Sequence, residues 1–464
     1  MLRSLLAITA LPYLAMDTTV KLDSGKISGA EASGVASFKG IPYVAPPTGD
    51  LRWRPPHTIA PWGGTRSAKD FGPVCPQPPI LEHKFENLSE DCLTLNVWTA
   101  ANSSAEHHPV LFWIHGGANI AGSGSISDGS ALAKQGAVVV TINYRLGPFG
   151  FLSLPSLTKE SSRSSSGNYG LLDQVQALLW VHRNIDKFGG DPQNVTIFGE
   201  SAGATDVAWL MTSPLAKGLF HRAVVQSASV FPPFDLRRAT AEQAGARLYG
   251  DNLQALRLRS TDEIMKSAAF QTGFVFDSGA SYGPIIDGWV IAEDPAQSFA
   301  SAHQANVPLI VGTNADEGSI VTENLPFKTA ADYHSYLASH LSDALFNLYP
   351  ANDDTQVHAA ASRLVTDFVF LNSARRLARF QAKLNPKTFM YYFTHRGSEI
   401  PFVFATASGD LAKVMSAAWI KFATTGDPNW PAYTVKSDQY IEFGDTIKVG
   451  SELHKKELDA LTAK

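Results

Sequence analysis

The chain has 464 residues, a formal net charge of −5 at pH 7 and 17% charged residues, so neither nucleic acid nor an anionic membrane surface is an expected partner. Without a linker, repeat or low-complexity tract, a chain of this length can bury one extended core. Its two cysteines have no matching histidine set and make a poor zinc site, and neither a metal nor a cofactor is expected.

Met1-Leu2-Arg3 and the apolar stretch Leu5–Ala15 form a basic end followed by a hydrophobic segment too short to span a bilayer. This pattern predicts a secretory signal peptide over residues 1–15 and one exported domain over 16–464, with no stable membrane anchor. Thr18–Lys39 reads as hairpins with turns at Ser24-Gly25 and Ser33-Gly34. Cys75 and Cys92 stand close together in a chain expected to be secreted, so a disulfide follows, stabilising by roughly 3 kcal/mol through loop closure. Asn87-Leu88-Ser89 and Asn102-Ser103-Ser104 are candidate glycosylation acceptors on polar segments, whereas Asn194-Val195-Thr196 leads into a strand.

Val110–Ile114 and Ala137–Asn143 are near-continuous apolar runs suited to buried parallel strands. Leu171–Ile185 has helical spacing and leads to a strand at Val195–Phe198. Further strands are expected at Ala223–Gln226, Pro308–Gly312 and Thr388–Phe393, and a late helix at Asp410–Phe422. This alternation specifies an α/β fold, a mostly parallel central sheet with helices on both faces. Ligands in such sheets sit beyond the carboxyl ends of the strands.

Gly199-Glu200-Ser201-Ala202-Gly203 lies between the apolar run ending at Phe198 and a helix-like run from Ala204 to Met211. A serine hydroxyl is a weak nucleophile and must project from a tight strand-to-helix turn towards a base, with glycines where side chains would clash. A second match, Gly279-Ala280-Ser281-Tyr282-Gly283, is followed by Pro284 and has no helix to launch, which makes it a loop. Upstream, Val110–Ile114 ends in His115-Gly116-Gly117-Ala118-Asn119, a glycine-rich turn able to bring N–H groups close to a ligand. The N–H groups of Gly117, Ala118 and Ala202 together make a three-donor oxyanion hole, each donor typically worth ~10²–10³ in rate.

These features, with Phe38-Lys39-Gly40-Ile41-Pro42-Tyr43, Glu90-Asp91-Cys92-Leu93, Asn143-Tyr144-Arg145, Phe188-Gly189-Gly190-Asp191-Pro192, Asn314-Ala315-Asp316-Glu317-Gly318 and Gly426-Asp427-Pro428-Asn429-Trp430-Pro431, closely resemble the type-B carboxylesterases, which are α/β-hydrolases. The resemblance runs from about Val20 to about Tyr433. It implies hydrolysis of a small-molecule ester through a serine acyl-enzyme, and a Cys75–Cys92 bridge around a loop beside the site. It also implies Glu317, rather than Asp316, as the acid that orients a histidine. Glu200 and Ser227 would flank these groups, and Arg52–Glu90 and Arg145–Asp173 would be scaffold ion pairs.

The histidine departs from the pattern. The family places it three residues before a glutamate, and in Thr394-His395-Arg396-Gly397-Ser398-Glu399 that position is Arg396. Either a compacted loop lets His395 serve as the base, or the segment that carries the base is missing and the chain is a catalytically impaired or non-catalytic binding or adhesion protein.

Overall fold

The computed structural model describes residues 18–79, 85–232, 235–268, 282–322, 327–341, 345 and 347–462. The segment 1–15 and Ser281 lie outside them.

Three short strands, β1 (Thr19–Lys21), β2 (Lys26–Ser28) and β5 (Thr65–Ser67), form a small sheet. The rest of the strands build one large sheet from β3 (Ala30–Ala32), β4 (Val35–Pro42), β6 (Thr94–Thr99), β7 (His108–Ile114), β8 (Val138–Ile142), β9 (Gly190–Glu200), β10 (Arg222–Gln226), β11 (Leu309–Asn314), β12 (Thr388–Phe393), β13 (Gln439–Phe443) and β14 (Lys448–Ser451). Among the described residues its order is β14-β13-β12-β11-β10-β9-β7-β8-β6-β4-β3. From β8 through β13 every neighbouring pair is parallel, while β3, β4, β6 and β14 join antiparallel at the two edges. The Ser33-Gly34 turn between β3 and β4 has φ of 53° and 78°, the left-handed pair that a tight two-residue hairpin demands.

The central strands are apolar on both faces, as parallel strands covered on both sides must be. Val110, Phe112 and Ile114 pack to one side with Val140, Ile197 and Val225. Leu111 and Trp113 pack to the other with Val139, Phe198, Val224 and Ile310. The first face is covered by α1 (Tyr169–Asn184), α2 (Ala202–Leu210) and α3 (Asn372–Leu384), through residues such as Leu178, Val207 and Leu377. The second is covered by α4 (Asp410–Thr425), through Met415, Trp419 and Phe422. Gly426 ends α4 at φ 73°, its N–H donating back to Phe422 O, a left-handed cap that glycine adopts without strain.

Chain order reverses between β7 and β9. From β7 the chain crosses to β8 on one side, then returns to β9 on the other. Such a switch point opens a crevice above the carboxyl ends of the two strands, and the segments that leave β7 and β9 are the glycine-rich turn and the Ser201 elbow.

Cys75 and Cys92 are bonded, with Cα atoms 5.0 Å apart. Arg52 grips Glu90 with Nε 2.8 Å from one oxygen, and Arg145 grips Asp173 with Nε at 2.8 Å and Nη2 at 2.7 Å, all four side chains buried. Asn87 and Asn102 are exposed, whereas the Asn194 side chain accepts a hydrogen bond from Arg222.

Candidate active site

Ser201 sits between the end of β9 and the start of α2 at φ 54° and ψ −123°. A non-glycine residue is strained there and persists only when its surroundings over-determine it. The glycines make that possible: a Cβ on Gly203 would lie 2.2 Å from Ile114 O, and one on Gly199 would lie 2.6 Å from the Gly203 carbonyl. Ser201 N–H donates to Gln226 O at 2.8 Å, fastening the elbow to the end of β10.

Beside the elbow, the turn after β7 runs through Gly117, Ala118 and Asn119 at φ 107°, 54° and 58°. Among the described residues, the Gly117 and Ala118 N–H groups donate to no protein acceptor. The Ala202 N–H opens α2 and is an orphan by position. Buried polar contacts hold the turn in shape. Asn119 Nδ2 donates to Asp206 Oδ1 at 3.1 Å, and the Tyr144 hydroxyl lies 2.9 Å from His115 O and 3.1 Å from Asn119 Oδ1. The Gln77 amide clamps Gly122 from the disulfide side, donating to its carbonyl at 2.9 Å and accepting from its N–H at 2.8 Å. The buried His115 ring stacks on Tyr144, and burial brings its pKa down to about 4, so it is a neutral packing group.

Glu317 follows β11 and is buried. Its Oε1 accepts from Thr313 Oγ1 at 2.8 Å and from the Asn314 N–H at 2.7 Å. The N–H groups of Glu317 and Gly318 donate to Thr366 Oγ1 at 3.2 and 3.0 Å. Thr366 opens a π-helical segment, Thr366–Leu371, a rare conformation that recurs at functional sites. Burial, reinforced by the nearby Glu399 charge, pushes the Glu317 carboxyl up to about 7. Ser227, Asn314 N–H and Thr313 restrain the rise. Ser227 itself is fully buried at φ 57°, its hydroxyl against Glu317 without a well-aligned hydrogen bond. Asp316, by contrast, is exposed and accepts from Ser319 N–H and Ser362 Oγ.

Glu200 packs against the turn after β7, where a Cβ on Gly116 would lie 2.4 Å from its Oε2. Burial, with the Glu399 and Glu317 charges, pushes its carboxyl well above the ordinary range.

The structure does not bring His395 to these groups. The side chain is exposed just past β12, Nδ1 lies 3.1 Å from Arg396 O, and the ring leans on Phe402 with centroids 5.0 Å apart. Arg396 is exposed as well. Among the described residues no histidine hydrogen-bonds Ser201 or Glu317. The physical reason lies four residues on. Glu399 is wholly buried, accepting from Gln226 Nε2 at 2.9 Å, Asn314 Nδ2 at 2.9 Å and Tyr391 Oη at 3.2 Å. The few residues between β12 and Glu399 are taken up in reaching that anchor.

Thr366 and Gln77 are site-supporting residues that the sequence does not single out, and Glu399 enters only as the landmark from which the histidine position is counted. Glu399 had a signal in the Gly-Ser-Glu step before an apolar run. Thr366 and Gln77 had none, since their partners lie 49 and 45 residues away. Among the described residues no three His, Cys, Asp or Glu side chains converge as a metal site, and no helix is long and apolar enough to cross a membrane.

A family model described as the carboxylesterase family matches residues 16–461. The chain is 38% identical to fumonisin B1 esterase of Sphingopyxis macrogoltabida, over 97% of this chain and 91% of that protein. It is 36% identical to para-nitrobenzyl esterase of Bacillus subtilis (strain 168), over 92% of this chain and 94% of that one. Among solved structures it superposes on a para-nitrobenzyl esterase with a TM-score of 0.83 at 33% identity, covering 96% of this chain and 100% of that chain. A Geobacillus stearothermophilus carboxylesterase gives the same TM-score of 0.83 at 34% identity, covering 96% and 100%.

Proposed function

The chain belongs to the carboxylesterase family, whose members are carboxylic ester hydrolases, and from that premise we propose that it acts on small-molecule esters by acyl transfer to Ser201. The observation that carries this reading is the Ser201 backbone at φ 54°, held beside a turn whose Gly117 and Ala118 N–H groups have no acceptor among the described residues. In the proposed reaction Ser201 Oγ attacks the ester carbonyl, and the Gly117, Ala118 and Ala202 N–H groups receive the oxyanion. Water then releases the acid from the serine ester. Glu317 is the acid member, aimed by Thr313, Asn314 and Thr366.

The proton of Ser201 meets no imidazole among the described side chains. Loss of the histidine from a serine triad can cost on the order of 10⁶ in kcat, while the oxyanion hole and binding keep ~10³–10⁴ over water. The reaction proposed is therefore a slow one, sustained by the oxyanion donors. The exposure of His395 favours, as a second reading, a chain that binds esters and turns them over negligibly. A panel of p-nitrophenyl esters assayed on the wild type beside Ser201→Ala tests the proposal. Hydrolysis above the Ser201→Ala background supports acyl transfer, and equality of the two supports binding alone.

We extend the proposal to export, with residues 1–15 as a signal peptide, 16–464 as one secreted domain and glycans on Asn87 and Asn102. The Cys75–Cys92 bridge supports this, since disulfides persist in oxidising compartments.

A further inference from the structure

We propose that a subsite beside Ser201 takes a free carboxylate on the ester substrate, with Arg376 as the side chain that recognises it. The proposal rests on the esterase reading only for what that carboxylate is attached to.

A cavity of about 500 Å³ opens between the segment that follows β10 and helix α3, with Trp209, Phe231, Phe368, Ser229, Asp294 and Arg376 in its wall. The Arg376 guanidinium lies over the Phe231 ring, 4.4 Å from its centroid. Among the described residues it forms no ion pair or hydrogen bond, whereas its neighbour Arg375 pairs with both Asp438 and Asp459. The other charges of the cavity are spoken for. Arg237 is paired with Asp235 at 2.6 Å, and Asp294 caps the helix Pro295–Ala300 by accepting the Ala296 N–H at 2.7 Å. Asp294 lies too far from Arg376 for an ion pair, though close enough for its charge to be felt. A half-buried guanidinium with its face on an aromatic ring and its N–H edge unused presents the fork that a carboxylate accepts through two parallel hydrogen bonds. Burial disfavours the cation, the Asp294 charge offsets this only in part, and an anionic ligand would relieve it further.

The position of the cavity ties it to the chemistry. Ser229 N–H donates to Thr205 Oγ1 at 3.2 Å, and Thr205 Oγ1 donates to Ser201 O at 3.3 Å. On the opposite wall, Phe368 and Val369 belong to the same π-helical segment as Thr366, which holds the Glu317 loop. One wall thus stands two hydrogen bonds from the Ser201 backbone, and in the proposed complex the second group of the ester reaches the cavity along it. The inferred substrates are half-esters of dicarboxylic or polycarboxylic acids, or esters of carboxylate-bearing alcohols.

Calorimetric binding to full-length Ser201→Ala protein tests this without turnover, so failure of the esterase reading leaves the result readable. The probes are monomethyl glutarate, dimethyl glutarate and inorganic phosphate. The monoester should bind at least about tenfold tighter than the diester, the scale of a charge-assisted hydrogen bond. Adding Arg376→Gln should abolish that difference and leave diester binding unchanged, while Arg376→Lys restores part of it. Should Arg376→Gln fail to fold, the Arg376 protein still decides, because rising ionic strength must weaken the monoester and spare the diester. Equal binding of the two esters, or an unaltered preference in Arg376→Gln, overturns the subsite. Phosphate that binds as tightly as the monoester and displaces it overturns the assignment to a substrate carboxylate and leaves a general anion site.

Discussion

His395 and Glu399 stand four residues apart at the end of β12, one exposed and the other wholly buried among Gln226, Asn314 and Tyr391. Gln226 O also receives the Ser201 N–H, and the Asn314 N–H donates to Glu317, so Glu399 joins the surroundings of the nucleophile to those of the acid. The chain keeps this anchor and gives up the reach that His395 would need. His395→Ala should consequently leave ester hydrolysis, however slow, at the wild-type rate, whereas Ser201→Ala should remove it. A large loss in His395→Ala would return His395 to the site.

A fluorophosphonate probe should label Ser201 and spare Ser281. The strained elbow, beside Gly117 and Ala118 N–H groups with no acceptor among the described residues, favours a tetrahedral adduct at Ser201, and peptide mapping reads the outcome. Modification confined to the Ser281 peptide would reverse the assignment.

Glu317 makes stability depend on pH. Its carboxyl titrates at about 7 in the folded chain, against an ordinary value of 4.5. Between those values the folded state holds a proton that the unfolded state has released, so stability falls as pH rises through this window and levels off above it. Glu317→Gln removes the charge and should raise the unfolding free energy above that of wild type at pH 8 by on the order of 3 kcal/mol, read as a higher Tm, with little gain at pH 4. A Tm difference independent of pH would contradict the assignment.

Thr366 accepts the two N–H groups at the start of the acid loop. Thr366→Val keeps the shape and removes the acceptor, so about 1–3 kcal/mol of stability should be lost, with Thr366→Ser largely restoring it. Urea unfolding of the three proteins checks this, and equal midpoints for Val and Ser would remove the hydroxyl from the argument.

Reducing the Cys75–Cys92 bridge should lower Tm and also loosen the oxyanion turn, because Gln77, two residues from Cys75, clamps Gly122. Hydrogen exchange at Gly122 should quicken on reduction while the β9–β10 pairing stays protected. Unaltered exchange at Gly122 would separate the bridge from the turn.

The sequence made the parallel core legible because its signals are local. Apolar runs such as Val110–Ile114 have nowhere to go but a covered sheet, and the glycines around Ser201 declare a turn that no other residue fits. Thr388–Phe393 coincides with β12, while β9 begins at Gly190, five residues before the apolar run reveals it. The edge strand β14 escaped notice because Lys448–Ser451 is short and mostly solvent-facing, its strand character supplied by β13 alone. The supports of the site were hidden for the same reason, as Thr366 and Gln77 act across long loops. The placement of His395 depended on where Glu399 would anchor, which is a tertiary contact.

The parts of the machinery are distributed one to a strand along the sheet: the oxyanion turn leaves β7, Ser201 leaves β9, Ser227 leaves β10, Glu317 leaves β11 and the His395 segment leaves β12. Since each strand is held by its own ladder, the connection after β12 can be shortened without disturbing the register of the others. In the proposed reaction, proton transfer and architectural integrity are thereby separable in this sheet: a change at one strand end alters the first and spares the second. A chain built this way is a natural recipient for a transplanted loop at the exposed end of β12.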